Sequence, residues 1–193
     1  MQNSFFALIF RQKYIRRWGL MRNVENETLA EHSAQVAMLA HALALIGNKR
    51  LGKCYDLGEV TIAALYHDGT EVYTGDMPTP VKYNTPELRQ SYALIEEQAA
   101  LTLLSHLPED LRADYAPLLR EELPDDLHKI VKAADKLAAY IKCVEEVKCG
   151  NTEFADAKKI TYAALKQRNL PELEIFLEEF LPAFELTLDE MQS

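Results

Sequence analysis

ETLAEHSAQVAMLAHALA, residues 27–44, is the stretch from which the fold class is read. Thr28 can cap a helix, and Glu31 three residues later completes a capping box. His32, Val36, Leu39 and Leu43 then fall on one helical face. Gly47 offers a stop, so the spacing predicts a helix over 28–46. That face is apolar except for the histidine near its start.

The pattern repeats outward. Residues 58–73 read as a second helix, with Ile62, Ala63, Leu65 and Tyr66 as its apolar stripe. GDMPTP, residues 75–80, holds a glycine and two prolines and cannot continue it. Thr85, Pro86 and Glu87 open a helix over 86–106 whose buried stripe is Leu88, Tyr92, Ile95, Ala99 and Leu103. A shorter helix follows at 109–120. Residues 125–148 are the longest, with Leu127, Ile130, Val131, Ala134, Leu137, Ala138, Ile141 and Val144 at core spacing. Two more are predicted at 152–168 and 171–181, the last opened by Pro171 and closed by Pro182. Upstream, MQNSFFALIFRQKYIRRW places its positive charge after a short apolar patch, the reverse of a signal peptide, and reads as a first amphipathic helix. No stretch alternates with period two. The expected architecture is an all-α helical bundle, one domain over residues 1–193.

Lys and Arg number 21 against 30 Asp and Glu, a formal charge of −9. Such a surface repels a long polyanion, which argues against a nucleic-acid polymer as partner. A small anion remains admissible wherever a bound cation dominates the local field. The three cysteines, Cys54, Cys143 and Cys149, are odd in number and not closely paired, which fits a reducing cytoplasm. No uninterrupted apolar run approaches the roughly 20 residues that cross a bilayer, so no membrane partner is expected.

Polar residues stand where the core should be apolar. His67 and Asp68 follow the apolar IAALY, His32 lies on the apolar face of its helix, and Asp135 borders the stripe of 125–148. A buried, unpaired carboxylate costs several kcal/mol and needs a partner. Taken singly, each has a plainer reading: a satisfied core histidine, or an ion pair at a helix edge. With five histidines in the chain, a chance His-Asp neighbour is common. The four together are more specific, because two imidazoles and two carboxylates balance one divalent cation. Mixed nitrogen and oxygen donors suit Mn, Co, Fe, Ni or Zn better than Ca, and leave positions for water and a phosphate oxygen.

In that order, H…HD…D, the chain resembles the HD-domain metal-dependent phosphohydrolases. RRWGLMRNV at 16–24, the 27–44 stretch, LYHDGTEVYTGDMPTPVKY at 65–83, KAADKLAAYIKCVEE at 132–146 and GNTEF at 150–154 are similar to bacterial 5′-deoxynucleotidases of the YfbR type. The resemblance implies the all-helical HD fold, one divalent metal held by His32, His67, Asp68 and Asp135, hydrolysis of deoxyribonucleoside 5′-monophosphates, and a homodimer.

Glu71 lies four residues after His67. On a continuous helix both share one face, where a carboxylate can position the attacking water and take its proton; the resemblance assigns it that role. Arg17 can pair with phosphate oxygens, and Trp18 offers a flat wall to a sugar or base. Alone, this pair is an exposed charge beside a core aromatic, but the resemblance places both on the substrate, with Arg17 orienting the phosphate. Asp76 and Thr79 have ordinary turn chemistry; the resemblance sets them against the nucleotide sugar, where a close wall can exclude a 2′-hydroxyl. His32, Asp68 and Asp135 are implied to touch substrate as well. Gly69 departs from the alanine usual in the family and is expected to loosen the metal helix. His41, His106, His128 and Lys136 are read as surface or packing residues. The competing readings are another HD nucleotide hydrolase, acting on triphosphates or a second messenger, a non-catalytic nucleotide or metal sensor, and a helical scaffold.

Overall fold

The long predicted helices form where capping and apolar spacing agree. The computed structural model describes residues 3–82 and 84–192. In chain order the helices are α1 (Phe5–Ile9), α2 (Leu29–Arg50), α3 (Leu57–Tyr66), α4 (Glu71–Thr74), α5 (Thr79–Lys82), α6 (Pro86–Ser105), α7 (Glu109–Leu119), α8 (Asp125–Lys148), α9 (Ala155–Lys166), α10 (Pro171–Glu179) and α11 (Leu188–Gln192). Short 3-10 turns precede or follow several of them. Among the described residues there is no strand, only one isolated antiparallel bridge between Arg16 and Thr28.

Helix α2 is the centre, packed on α3 and α8. Thr28 caps it, with the reciprocal Glu31 contacts of a full capping box. Val36, Ala40, Leu43 and Ala44 of α2 meet Ile130, Ala134, Leu137 and Ala138 of α8 in the larger core cluster. A second cluster joins Phe5 and Ile9 to Leu103, Leu107 and Leu119. Helix α2 is also long and apolar enough in composition to cross a bilayer, but 56% of the qualifying window is buried inside this bundle.

Several expectations change. The predicted first helix ends early: α1 gives way to a 3-10 turn over Phe10–Tyr14, and Ile15 is extended. Arg17 and Trp18 therefore stand on a loop. Gly47 does not end α2, which runs on to Arg50; a side chain at 47 would stand 2.6 Å from the Tyr55 ring, so this glycine makes room for packing. The 58–73 helix is broken after Tyr66 by successive turns, with Gly69 N bonding Tyr66 O at 2.8 Å and Glu71 N bonding Asp68 O at 3.1 Å. The buried face of α3 is Val60, Ala63 and Ala64; Ile62 and Leu65 are exposed. On α6, Tyr92, Ala99 and Leu103 are buried as expected, but Leu88 and Ile95 face outward. The 152–168 segment divides into a 3-10 turn over Thr152–Phe154 and α9.

Candidate active site

The first turns of α2, the turn after α3 and the middle of α8 meet at one point. His32 is fully buried, four residues past the cap of α2. Its Nε2 lies 3.2 Å from Asp135 Oδ1 and 3.7 Å from Asp68 Oδ2. His67 Nε2 lies 3.0 Å from Asp68 Oδ2 and 4.0 Å from Asp135 Oδ1. The structure brings His32, His67, Asp68 and Asp135 together from three elements.

Ligand atoms of His32, His67 and Asp135 lie within 4.8 Å of one another, so these three could hold one metal ion, with Asp68 alongside. Two further observations fit a cation. His67 Nδ1 donates to Ala64 O at 2.7 Å, which leaves Nε2 as the ring nitrogen facing the cluster, available to a cation in exchange for its proton. That Nε2 is buried and makes no well-aligned hydrogen bond. Burial works against charge on His67, yet Asp68 and then Asp135 push it up to about 9. Burial alone would raise Asp135, but the hydrogen bond and charge of His32, with His67, hold it far below the usual carboxylate range. The site stores negative charge on its oxygens, as a metal centre requires.

Glu71 opens α4 and is 8% exposed, with Oε2 buried and unpartnered. Burial first, then Asp68 and Asp76, push its carboxyl up to about 9. It reaches the cluster across a turn, not along a shared helical face. Beside it a cleft of about 340 Å³ is lined by His67, Asp68 and Glu71 together with Lys82, His128 and Lys132. Glu121 pairs with both Lys132 (2.6 Å) and His128 (3.3 Å). From sequence His128 reads as a surface or packing residue, and Lys132 and Glu121 have no place at the site; their pairing spans the α7–α8 link and has no local signature.

Arg17 stands on the other side. Its Nη1 is 3.5 Å from Asp68 Oδ2 and 3.8 Å from Asp76 Oδ1, so the loop at 75–78 and the His–Asp cluster share one guanidinium. Trp18 has a left-handed backbone (φ 57°), which is strained for a bulky residue and typical of functional sites. Its indole packs on Phe154 and donates to Glu27 Oε2 at 2.8 Å. Thr79 begins α5; its side chain lies outside the described residues.

Gly69 packs beneath this turn. A Cβ there would meet Leu119 Cδ2 at 2.7 Å and Tyr66 O at 3.0 Å. The glycine is not a loose point in a helix, as expected from sequence, but a close contact between the turn carrying His67 and Asp68 and α7.

Comparison with known proteins follows the same lines. The sequence profile of the 5′-deoxynucleotidase YfbR-like family matches residues 4–184. The chain is 50% identical over 191 residues to a 5′-deoxynucleotidase of Vibrio parahaemolyticus, covering 98% of each. It is 48% identical to the 5′-deoxynucleotidase YfbR of Escherichia coli, covering 98% of this chain and 96% of that one. An HD-domain phosphohydrolase from Listeria innocua superposes with a TM-score of 0.83 at 25% identity, covering 98% and 92% of the two chains. A cyanophage S-2L HD phosphohydrolase, described as bound to dA and one catalytic Zn²⁺ ion, shares the fold at a TM-score of 0.68 and 20% identity, covering 97% and 100%. The chain belongs to the YfbR-like 5′-deoxynucleotidase family and has the all-helical fold of HD-domain phosphohydrolases.

Proposed function

We propose that this site hydrolyses deoxyribonucleoside 5′-monophosphates to deoxyribonucleoside and phosphate, with His32, His67, Asp68 and Asp135 holding one divalent transition metal. The observation that carries the reading is the convergence of those side chains beside a buried, unpartnered Glu71 carboxylate. The family relationship supports the reaction. The nitrogen and oxygen donors favour Co, Mn or another transition metal. When bound, such an ion draws charge from the phosphate and makes water more acidic.

The protein's own residues supply the rest. Glu71 accepts the proton of the attacking water. Burial beside Asp68 and Asp76 raises its proton affinity to about 9, and a divalent cation held by the four ligands would lower it towards the range a general base needs. Water oxygen bonds to phosphorus as the bond from phosphorus to the 5′-oxygen breaks, and that oxygen leaves carrying a proton supplied by water or a nearby carboxyl group. Arg17 holds the phosphate by turning its guanidinium from Asp68 and Asp76 to the phosphate oxygens. Asp76 and Trp18 are assigned to the sugar side, with Thr79 carried over from the family resemblance, and a close wall there would disfavour a 2′-hydroxyl.

The test is a phosphate-release panel of deoxyribo- and ribonucleoside 5′-monophosphates and a 3′-monophosphate, with Mn²⁺, Co²⁺, Ni²⁺ or Zn²⁺ and with chelator. Metal-dependent release from the deoxy 5′-compounds supports the reading. Tripolyphosphate release from dATP without monophosphatase action overturns it in favour of a triphosphohydrolase. Binding of dAMP without turnover under any of these metals favours a sensor. We further infer a homodimer, supported by the exposed Leu94 and Ile95 on α6.

A further inference from the structure

Resting on the metal reading above, we propose that Glu27 is a positioning residue, one carboxylate that locks both the substrate arm and the His32 ligand. Glu27 is 6% exposed and lies just before the cap of α2. Its backbone carbonyl accepts from Arg17 N at 3.0 Å, within the short pairing that also bonds Leu29 N to Ile15 O. Its side chain has two distinct faces. Oε2 accepts the Trp18 indole N–H at 2.8 Å and lies 3.5 Å from Arg17 Nε. Oε1 lies 3.6 Å from His32 Nδ1.

Three of these atoms, Glu27 Oε1, His32 Nδ1 and Arg17 Nε, are buried and have no other hydrogen-bond partner. The Oε1–Nδ1 contact is about half an ångström longer than a hydrogen bond, and each group is the other's nearest complement. His67 has its tautomer set by a backbone carbonyl. For His32, whose Nδ1 has no hydrogen bond among the described residues, Glu27 Oε1 is placed to do the same. A carboxylate accepts on both oxygens, so Nδ1 keeps its proton when an ion displaces the one Nε2 shares with Asp135, and Nε2 can then give that ion its lone pair.

The isosteric Glu27→Gln exposes this requirement. An amide has one acceptor and one donor end. Its oxygen takes the stronger bond, from the Trp18 indole, and its NH₂ then faces His32 Nδ1. That favours the tautomer with a proton on Nε2, aimed at the metal position. Co²⁺ titration, followed by visible absorption, should show Glu27→Gln binding about 10- to 100-fold more weakly than wild type. Trp18→Phe, which removes only the indole donor, should keep wild-type Co²⁺ affinity. In the Zn²⁺-loaded wild type, nitrogen-15 NMR of the imidazoles should find His32 protonated at Nδ1.

Wild-type Co²⁺ affinity and spectrum in Glu27→Gln overturn the inference. So does a His32 that lacks a proton on Nδ1 in the Zn²⁺-loaded protein, the measurement that decides should the glutamine variant fail to fold. Wild-type protein that takes up no Co²⁺ overturns the metal reading itself and this inference with it.

Discussion

Gly69 and Glu71, two residues apart, show how differently single side chains constrain this site. At Gly69 the constraint is space. Gly69→Ala puts a methyl against Leu119, whose flexible end must move, and beside Tyr66 O, which cannot. The expected cost is about 1 kcal/mol. A double-mutant cycle with Leu119→Val should recover part of it, because the two positions are in contact; strictly additive urea midpoints would show that the clash is absorbed elsewhere. At Glu71 the constraint is chemical. Glu71→Ala removes a carboxylate that is not one of the proposed ligands, so Co²⁺ uptake should persist while turnover falls by about 10²- to 10⁴-fold. Wild-type phosphate release by that variant would remove Glu71 as the base. The proposed ligands were legible because a polar residue on an apolar face is a visible anomaly. Glu27 was not: a carboxylate before a helix cap is commonplace, and its contacts to Trp18 and His32 depend on how the loop folds back.

Among the elements, α8 does the most. It supplies Asp135 at its middle and, two turns on, the buried Lys142–Glu146 pair at 2.5 Å. Glu146 accepts the backbone N–H groups of Val24 and Glu25, and Lys142 donates to Glu25 O. This clamp fixes the loop leading to Glu27. Burial alone would raise the Glu146 carboxyl, but Lys142, Val24 N, Asn151 and Glu25 N bring it to about 2. A carboxyl held below its ordinary 4.5 contributes stability above that value and loses it as pH falls towards 2. Glu146→Gln should lower urea stability at pH 7 and flatten its decline between about pH 4.5 and 2. An unchanged acid limb would mean that other carboxylates govern it. Helix α8 was read to its ends from sequence because its stripe runs unbroken. The α3–α4 break was missed because helical spacing persists across residues 67–70, where a tertiary contact, Gly69 under Leu119, selects turns instead.

At the scale of the whole molecule, the informative mismatch is on α6. Its sequence carries a stripe at core spacing, yet Ile95 is 52% exposed and Leu94, beside it, 68%. Leu101, one heptad beyond Leu94, is also exposed. Helix α6 thus buries Tyr92, Ala99 and Leu103 inward and leaves a second apolar strip bare. Apolar residues at regular helical spacing are what a symmetric interface between two copies covers. A charge placed there should oppose association while leaving the core untouched. Leu94→Glu combined with Ile95→Glu is expected to convert a dimer to a monomer in sedimentation at micromolar concentration. Thermal stability of the isolated chain should change little, since both positions face outward. A variant that remains dimeric would move the interface to another surface, such as the exposed Ile62 and Leu65 of α3. A wild-type chain that sediments as a monomer would remove the dimer altogether and leave α6 with an unpartnered apolar strip.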